Sequence, residues 1–104
     1  MRTLVLAVCC GALLTGPAQA GDADAGRVLA QTWCANCHVV GGATQGQDAA
    51  PPLAAIAQRR GQDPNWLRAW LTAPHPPMPN LNLSRAEIED LVAYLASLAP
   101  ATHK

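Results

Sequence analysis

The sequence predicts an all-α domain, on three observations. Apolar residues recur at helical i, i+3 and i+4 spacing in several segments. Capping residues and prolines bracket those segments. The only candidate for a strand, Val39-Val40, is too short to be one.

Residues 1–20 of the 104-residue chain stand apart. Arg2 gives a basic start, Thr3 to Leu14 is almost wholly apolar, Gly16-Pro17 breaks any helix, and Ala18-Gln19-Ala20 fits a cleavage site. This is the pattern of a secretory signal peptide, leaving residues 21–104 as one mature domain. The apolar run is well short of the roughly 20 residues of a membrane span. Cys9 and Cys10 fall in the leader, so the mature domain keeps Cys34 and Cys37.

The first helix is expected to run from Asp22 or Asp24 to Cys34, with Val28, Leu29 and Trp33 apolar. The Gly-, Gln- and Ala-rich stretch between Val40 and Pro51 reads as a surface loop. A short helical piece follows from Leu53 to Arg59. Asp63-Pro64 supplies an N-cap and a first-turn proline for a third helix. Trp66/Trp70 and Leu67/Leu71 are i,i+4 pairs on it, and Pro74 ends it. The last helix opens on a capping box, Ser84 with Glu87, with Leu83 and Ile88 at staple positions. Ile88, Leu91, Val92, Leu95 and Leu98 form its stripe, Tyr94 lies at the edge, and Pro100 stops it.

The formal net charge is zero, with no basic run for nucleic acid and no acidic tail. There is no Phe, one Tyr and three Trp. A domain this small with so few large apolar groups commonly depends on a cofactor, metal or covalent staple.

The hexapeptide Trp33-Cys34-Ala35-Asn36-Cys37-His38 suggests which. A structural zinc site needs a second ligand pair, and no two of His38, His75 and His103 are suitably spaced. A thioredoxin-like dithiol needs a strand before the first cysteine, where this chain has helical spacing. Cys-x-x-Cys-His attaches haem c: two thiols form thioethers with the porphyrin vinyl groups, and His38 follows as an iron ligand.

Met78 is the remaining methionine of the mature chain and lies in Pro74-His75-Pro76-Pro77-Met78-Pro79. No helix or strand interior tolerates that run. Its prolines restrict the unfolded chain and can hold a thioether against iron. His75, three residues earlier, is the competing ligand type.

In these features, over the whole mature domain, the sequence resembles the class I cytochromes c. The matching order is Cys34-Ala35-Asn36-Cys37-His38, then Pro51-Pro52-Leu53, a helix ending in proline, Met78-Pro79, and a last helix with Leu91 and Tyr94. The resemblance implies three to four helices wrapped around one haem, attached through Cys34 and Cys37, with His38 and Met78 on the iron. It implies that the Pro51 carbonyl orients His38, Leu53 packs on the haem face, Arg59 (or adjacent Arg60) meets a propionate, and Trp70 closes the Met-side pocket. The family usually crosses its first and last helices with a glycine and an aromatic; Gly26 fits, while Ala30 stands where the aromatic is expected.

The function so implied is that of a non-enzymatic, periplasmic one-electron carrier, working with periplasmic or membrane-associated redox proteins. A relay subunit of a periplasmic dehydrogenase or oxidase complex is the alternative; a ligand-binding sensor is a third, requiring an open sixth position. The segments Trp33 to Ala43 and Thr72 to Ser84 contain no Lys, Arg, Asp or Glu. Docking is therefore expected on an uncharged rim of Val39, Pro76, Pro77 and Pro79.

Overall fold

The computed structural model describes residues 11, 21–41, 46, 48–73 and 75–100. The leader expected over residues 1–20 lies outside them except for Gly11, as do Pro74 and His103. Four α-helices follow in order: α1 (Ala23–Trp33), α2 (Leu53–Arg60), α3 (Pro64–Thr72) and α4 (Arg85–Leu98), with a 3-10 turn over Cys34–Asn36. No strand occurs among the described residues, only isolated bridges pairing Val39 with Gly46 and His75 with Met78. The all-α expectation holds. No helix among the described residues is long and apolar enough to cross a membrane.

Local chemistry sets the helix ends. The Asp22 carboxylate accepts from the amides of Asp24 and Ala25 at the start of α1. Asp63 accepts from the Trp66 amide, and Pro64 occupies the first turn of α3, where an amide is not needed. At α4 both arms of the capping box are made: the Glu87 amide donates to Ser84 Oγ at 3.1 Å, and the Ser84 amide to Glu87 Oε2 at 2.7 Å. The 3-10 turn was not evident from the sequence. It forms where the amides of Cys37 and His38 both donate to the Cys34 carbonyl.

The main packing contact is α1 on α4. Gly26 and Ala30, one turn apart, are both buried on the α4 side. A Cβ at Gly26 would stand 2.0 Å from the Asp90 carbonyl oxygen and 2.8 Å from Tyr94 Cβ. Ala30 is fully buried and Tyr94 nearly so. The missing aromatic at position 30 is thus answered by a closer approach, with Tyr94 in the shared core. The Asp22 amide also donates to Asp90 Oδ1 at 2.8 Å, tying the start of α1 to α4. Val40, Leu53, Ala57, Leu67, Leu91, Val92 and Leu95 complete the core, drawing α2 and α3 onto α4.

Candidate functional site

The helices leave an apolar cleft of about 480 Å³, its open mouth included. Helix α2 lines it with Leu53 and Ile56, α3 with Leu67, Trp70 and Leu71, and α4 with Leu91 and Leu95. Apart from the indole of Trp70, the groups that are not simple hydrocarbon are Cys34, His38 and Met78. Residues 44 positions apart in sequence, a thiol and a thioether, so meet with an imidazole in one apolar space.

His38 is buried, and its Nδ1 lies 2.6 Å from the Pro51 carbonyl oxygen. A carbonyl only accepts, so Nδ1 carries the proton and Nε2 keeps its lone pair. This outer partner sets both tautomer and ring direction, as metal-bound histidines require. Two backbone bonds hold Pro51 in register with the motif: Ala50 N–H donates to the Cys37 carbonyl at 2.8 Å, and Leu53 N–H to the Val39 carbonyl at 3.0 Å.

The two thiols differ. Cys34 is partly buried at the cleft wall, and burial pushes its thiol above the ordinary range. Cys37 is exposed and is not among the cleft-lining residues. Helix α1 runs directly into Cys34, with no strand before it among the described residues, so the dithiol reading loses its structural context.

Met78, also on the cleft wall, closes a tight turn in which its amide donates to the His75 carbonyl at 3.1 Å. His75 Nε2 lies 2.9 Å from Met78 Sδ, and the His75 ring rests on Trp70 with centroids 3.9 Å apart. Trp70 in turn stacks on Trp66 at 5.0 Å and 12°. Beside Met78 the cleft-lining Trp70 is therefore held between two further rings, Trp66 of α3 and His75 of the following turn, where sequence spacing showed only an i,i+4 pair.

Arg59 and Arg60 part company here. Arg60 pairs with Asp63 at 3.7 Å and lies over the Trp66 ring at 4.6 Å. Arg59 is exposed and makes no ion pair among the described residues; neither arginine lines the cleft. Across the groove between α3 and α4, Arg68 forms a two-pronged pair with Glu89 at 2.6 and 3.1 Å. Hydrogen bonding to Arg68 holds the Glu89 carboxyl below its ordinary range.

Of the wall residues, Ile56, Leu67, Leu71, Leu91 and Leu95 were not singled out for the site from sequence. Their stripes were visible, but a core stripe and a cleft wall carry the same apolar pattern. The donor set fits a haem: thiol on one wall, an imidazole with a free Nε2, a soft thioether, and hydrocarbon between them.

Comparison with known proteins agrees. A family model described as cytochrome c matches residues 23–99. The chain is 44% identical over 99 residues to cytochrome c-552 of Bradyrhizobium diazoefficiens, covering 93% of this chain and 91% of that one. It is 36% identical over 78 residues to a cytochrome c-553-like protein of Synechocystis, covering 75% and 70% respectively. No solved structure gives a significant match.

Proposed function

We propose, from the premise that this chain belongs to the cytochrome c family, that it is a periplasmic one-electron carrier with His38 and Met78 as the two axial ligands. The family binds haem c covalently through a cysteine pair, and Cys34 and Cys37 have that spacing. The observation that carries the finer reading is the convergence of Cys34, His38 and Met78 on one apolar cleft, with His38 Nδ1 engaged by Pro51 at 2.6 Å.

When bound, the haem supplies an iron that alternates between Fe(II) and Fe(III). The chain's own residues do the rest. Pro51 holds His38 so that Nε2 faces the cleft. The turn from His75 to Met78 brings the thioether to the same cleft, where Sδ would hold the iron together with His38. Leu53, Leu67 and Leu91 keep water out, and a low-dielectric surround with a His/Met pair favours a comparatively high potential. Arg59, unpaired among the described residues, is the arginine available to a propionate. With His38 and Met78 both holding the iron, no position would remain for substrate, which supports electron transfer over catalysis. Residues 1–20 serve in this reading as the export leader.

The test is the ferric holoprotein's absorption spectrum. Thioether ligation gives a sulfur-to-iron charge-transfer band at the red edge, which Met78→Ala should abolish and His75→Ala should preserve. The reverse pattern would make His75 the resident ligand. A wild-type ferrous protein that binds carbon monoxide readily would remove the closed-site reading altogether. Isolation of the exported protein, with haem attached and residue 21 at its N-terminus, would support the leader and the compartment.

A further inference from the structure

His75 has hydrogen-bond chemistry that sequence alone did not disclose. Its Nδ1 lies 2.8 Å from the Ala73 carbonyl oxygen, and its Nε2 lies 2.9 Å from Met78 Sδ. Neither partner can donate, since a carbonyl and a thioether both only accept. A neutral ring has one N–H for the two contacts. The carbonyl is much the stronger acceptor, so the proton belongs on Nδ1. That leaves an unprotonated Nε2 whose lone pair faces the space occupied by the sulfur.

This repeats the arrangement at His38, where the Pro51 carbonyl holds Nδ1–H and frees Nε2. In both rings a backbone carbonyl fixes the tautomer that suits a metal. The sulfur and Nε2 approach from one short turn, with His75 and Met78 bridged to each other. A tilted contact at 34° sets the imidazole against Trp70, which itself lines the cleft.

We infer that His75 is a reserve axial ligand, placed to take the iron's sixth position when the Met78 sulfur is lost. The inference rests on the His38/Met78 reading above. Nε2 has to travel about a sulfur-to-nitrogen contact distance, since the two atoms stand 2.9 Å apart on one turn. Exchange of thioether for imidazole keeps the iron six-coordinate and low-spin while lowering its potential, because imidazole favours the ferric state more than a thioether does.

The experiment compares Met78→Ala with Met78→Ala/His75→Ala as haem-loaded proteins. The single variant should be low-spin with a nitrogenous second ligand by electron paramagnetic resonance. The double variant should be high-spin. If His75 holds the iron nine-tenths of the time, the ferrous single variant should bind carbon monoxide about tenfold more weakly than the double variant. Equal affinities, or a single variant that is already high-spin, would overturn the inference. So would a low-spin state that survives in the double variant, since another side chain would then be the ligand.

If Met78→Ala does not accumulate, wild type and His75→Ala are treated with hydrogen peroxide. This transfers one oxygen atom to the Met78 sulfur and reduces the peroxide to water. Nitrogen ligation should then appear in wild type and not in His75→Ala; the same product in both would count against a reserve ligand. Failure of the parent reading looks different, because untreated wild type would already lack the sulfur band and His75→Ala would open the site.

Discussion

Replacing Gly26 with alanine should destabilise the protein, although helix propensity alone argues the opposite. Gly26 lies within α1, where alanine is favoured over glycine by about 1 kcal/mol. Against that, the new Cβ would stand 2.0 Å from the Asp90 carbonyl oxygen, where ordinary contact begins near 3.4 Å. The neighbour is backbone, so no side chain can rotate away, and α1 and α4 must part by about 1.4 Å. Overpacking of this kind costs up to about 3 kcal/mol. The net loss is then about 2 kcal/mol, or roughly 8–16 °C in Tm for a domain of this size. The assay is guanidinium unfolding of haem-loaded wild type and Gly26→Ala, with the helical signal and the Soret band followed together. Equal or greater stability of the variant would refute the close crossing, because only the propensity gain would then be operating.

Ser84→Ala removes one arm of the α4 capping box and should cost about 1 kcal/mol in the same unfolding assay; no change would mean the Glu87 arm suffices alone. The Glu89 carboxyl is held below its ordinary range by hydrogen bonding to Arg68, so its stabilising contribution is complete above the unfolded-state value and fades as pH falls through the lower folded-state value. Glu89→Gln should therefore lower Tm at neutral pH and converge with wild type in the acid range below about pH 4; a constant gap between the two Tm curves down to pH 2 would contradict this. Cys34→Ser/Cys37→Ser should yield no covalent haem and little folded protein, read by haem stain and circular dichroism; cooperative helical unfolding without haem would show that the cofactor is not needed to complete the core. With its natural redox partner, electron-transfer rates should change little between low and physiological ionic strength, because the segments Trp33 to Ala43 and Thr72 to Ser84, which bear Cys34, His38 and Met78, carry no charged side chain; a steep fall would locate the docking face elsewhere.

What the sequence disclosed well was local. The Asp22, Asp63 and Ser84 caps lie within three residues of the amides they satisfy, so spacing alone placed three helix starts close to where they stand. The haem anchor was legible for the same reason, five consecutive residues with a specific chemistry. Less was visible where the contact crosses between elements. Arg59 and Arg60 are neighbours with the same charge, and only the fold shows Arg60 committed to Asp63 and Trp66. Ala30 looked like a gap in the helix crossing, and only the approach at Gly26 explains why a small residue is needed there. The contact between His75 and Met78 depends on a turn whose conformation the proline-rich spacing suggested without defining.

The paired indoles of α3 give the molecule an optical consequence. Two chromophores 5.0 Å apart and within 12° of parallel do not absorb independently; their excitations mix. The mixing should produce an exciton feature in circular dichroism that neither Trp66 nor Trp70 produces alone. Because Trp70 is also in contact with the His75 ring, any movement of the turn bearing Met78 alters one member of the pair and not the other. The chain thus carries an unlabelled spectroscopic gauge of its own Met-side wall, readable on a separate channel from the iron.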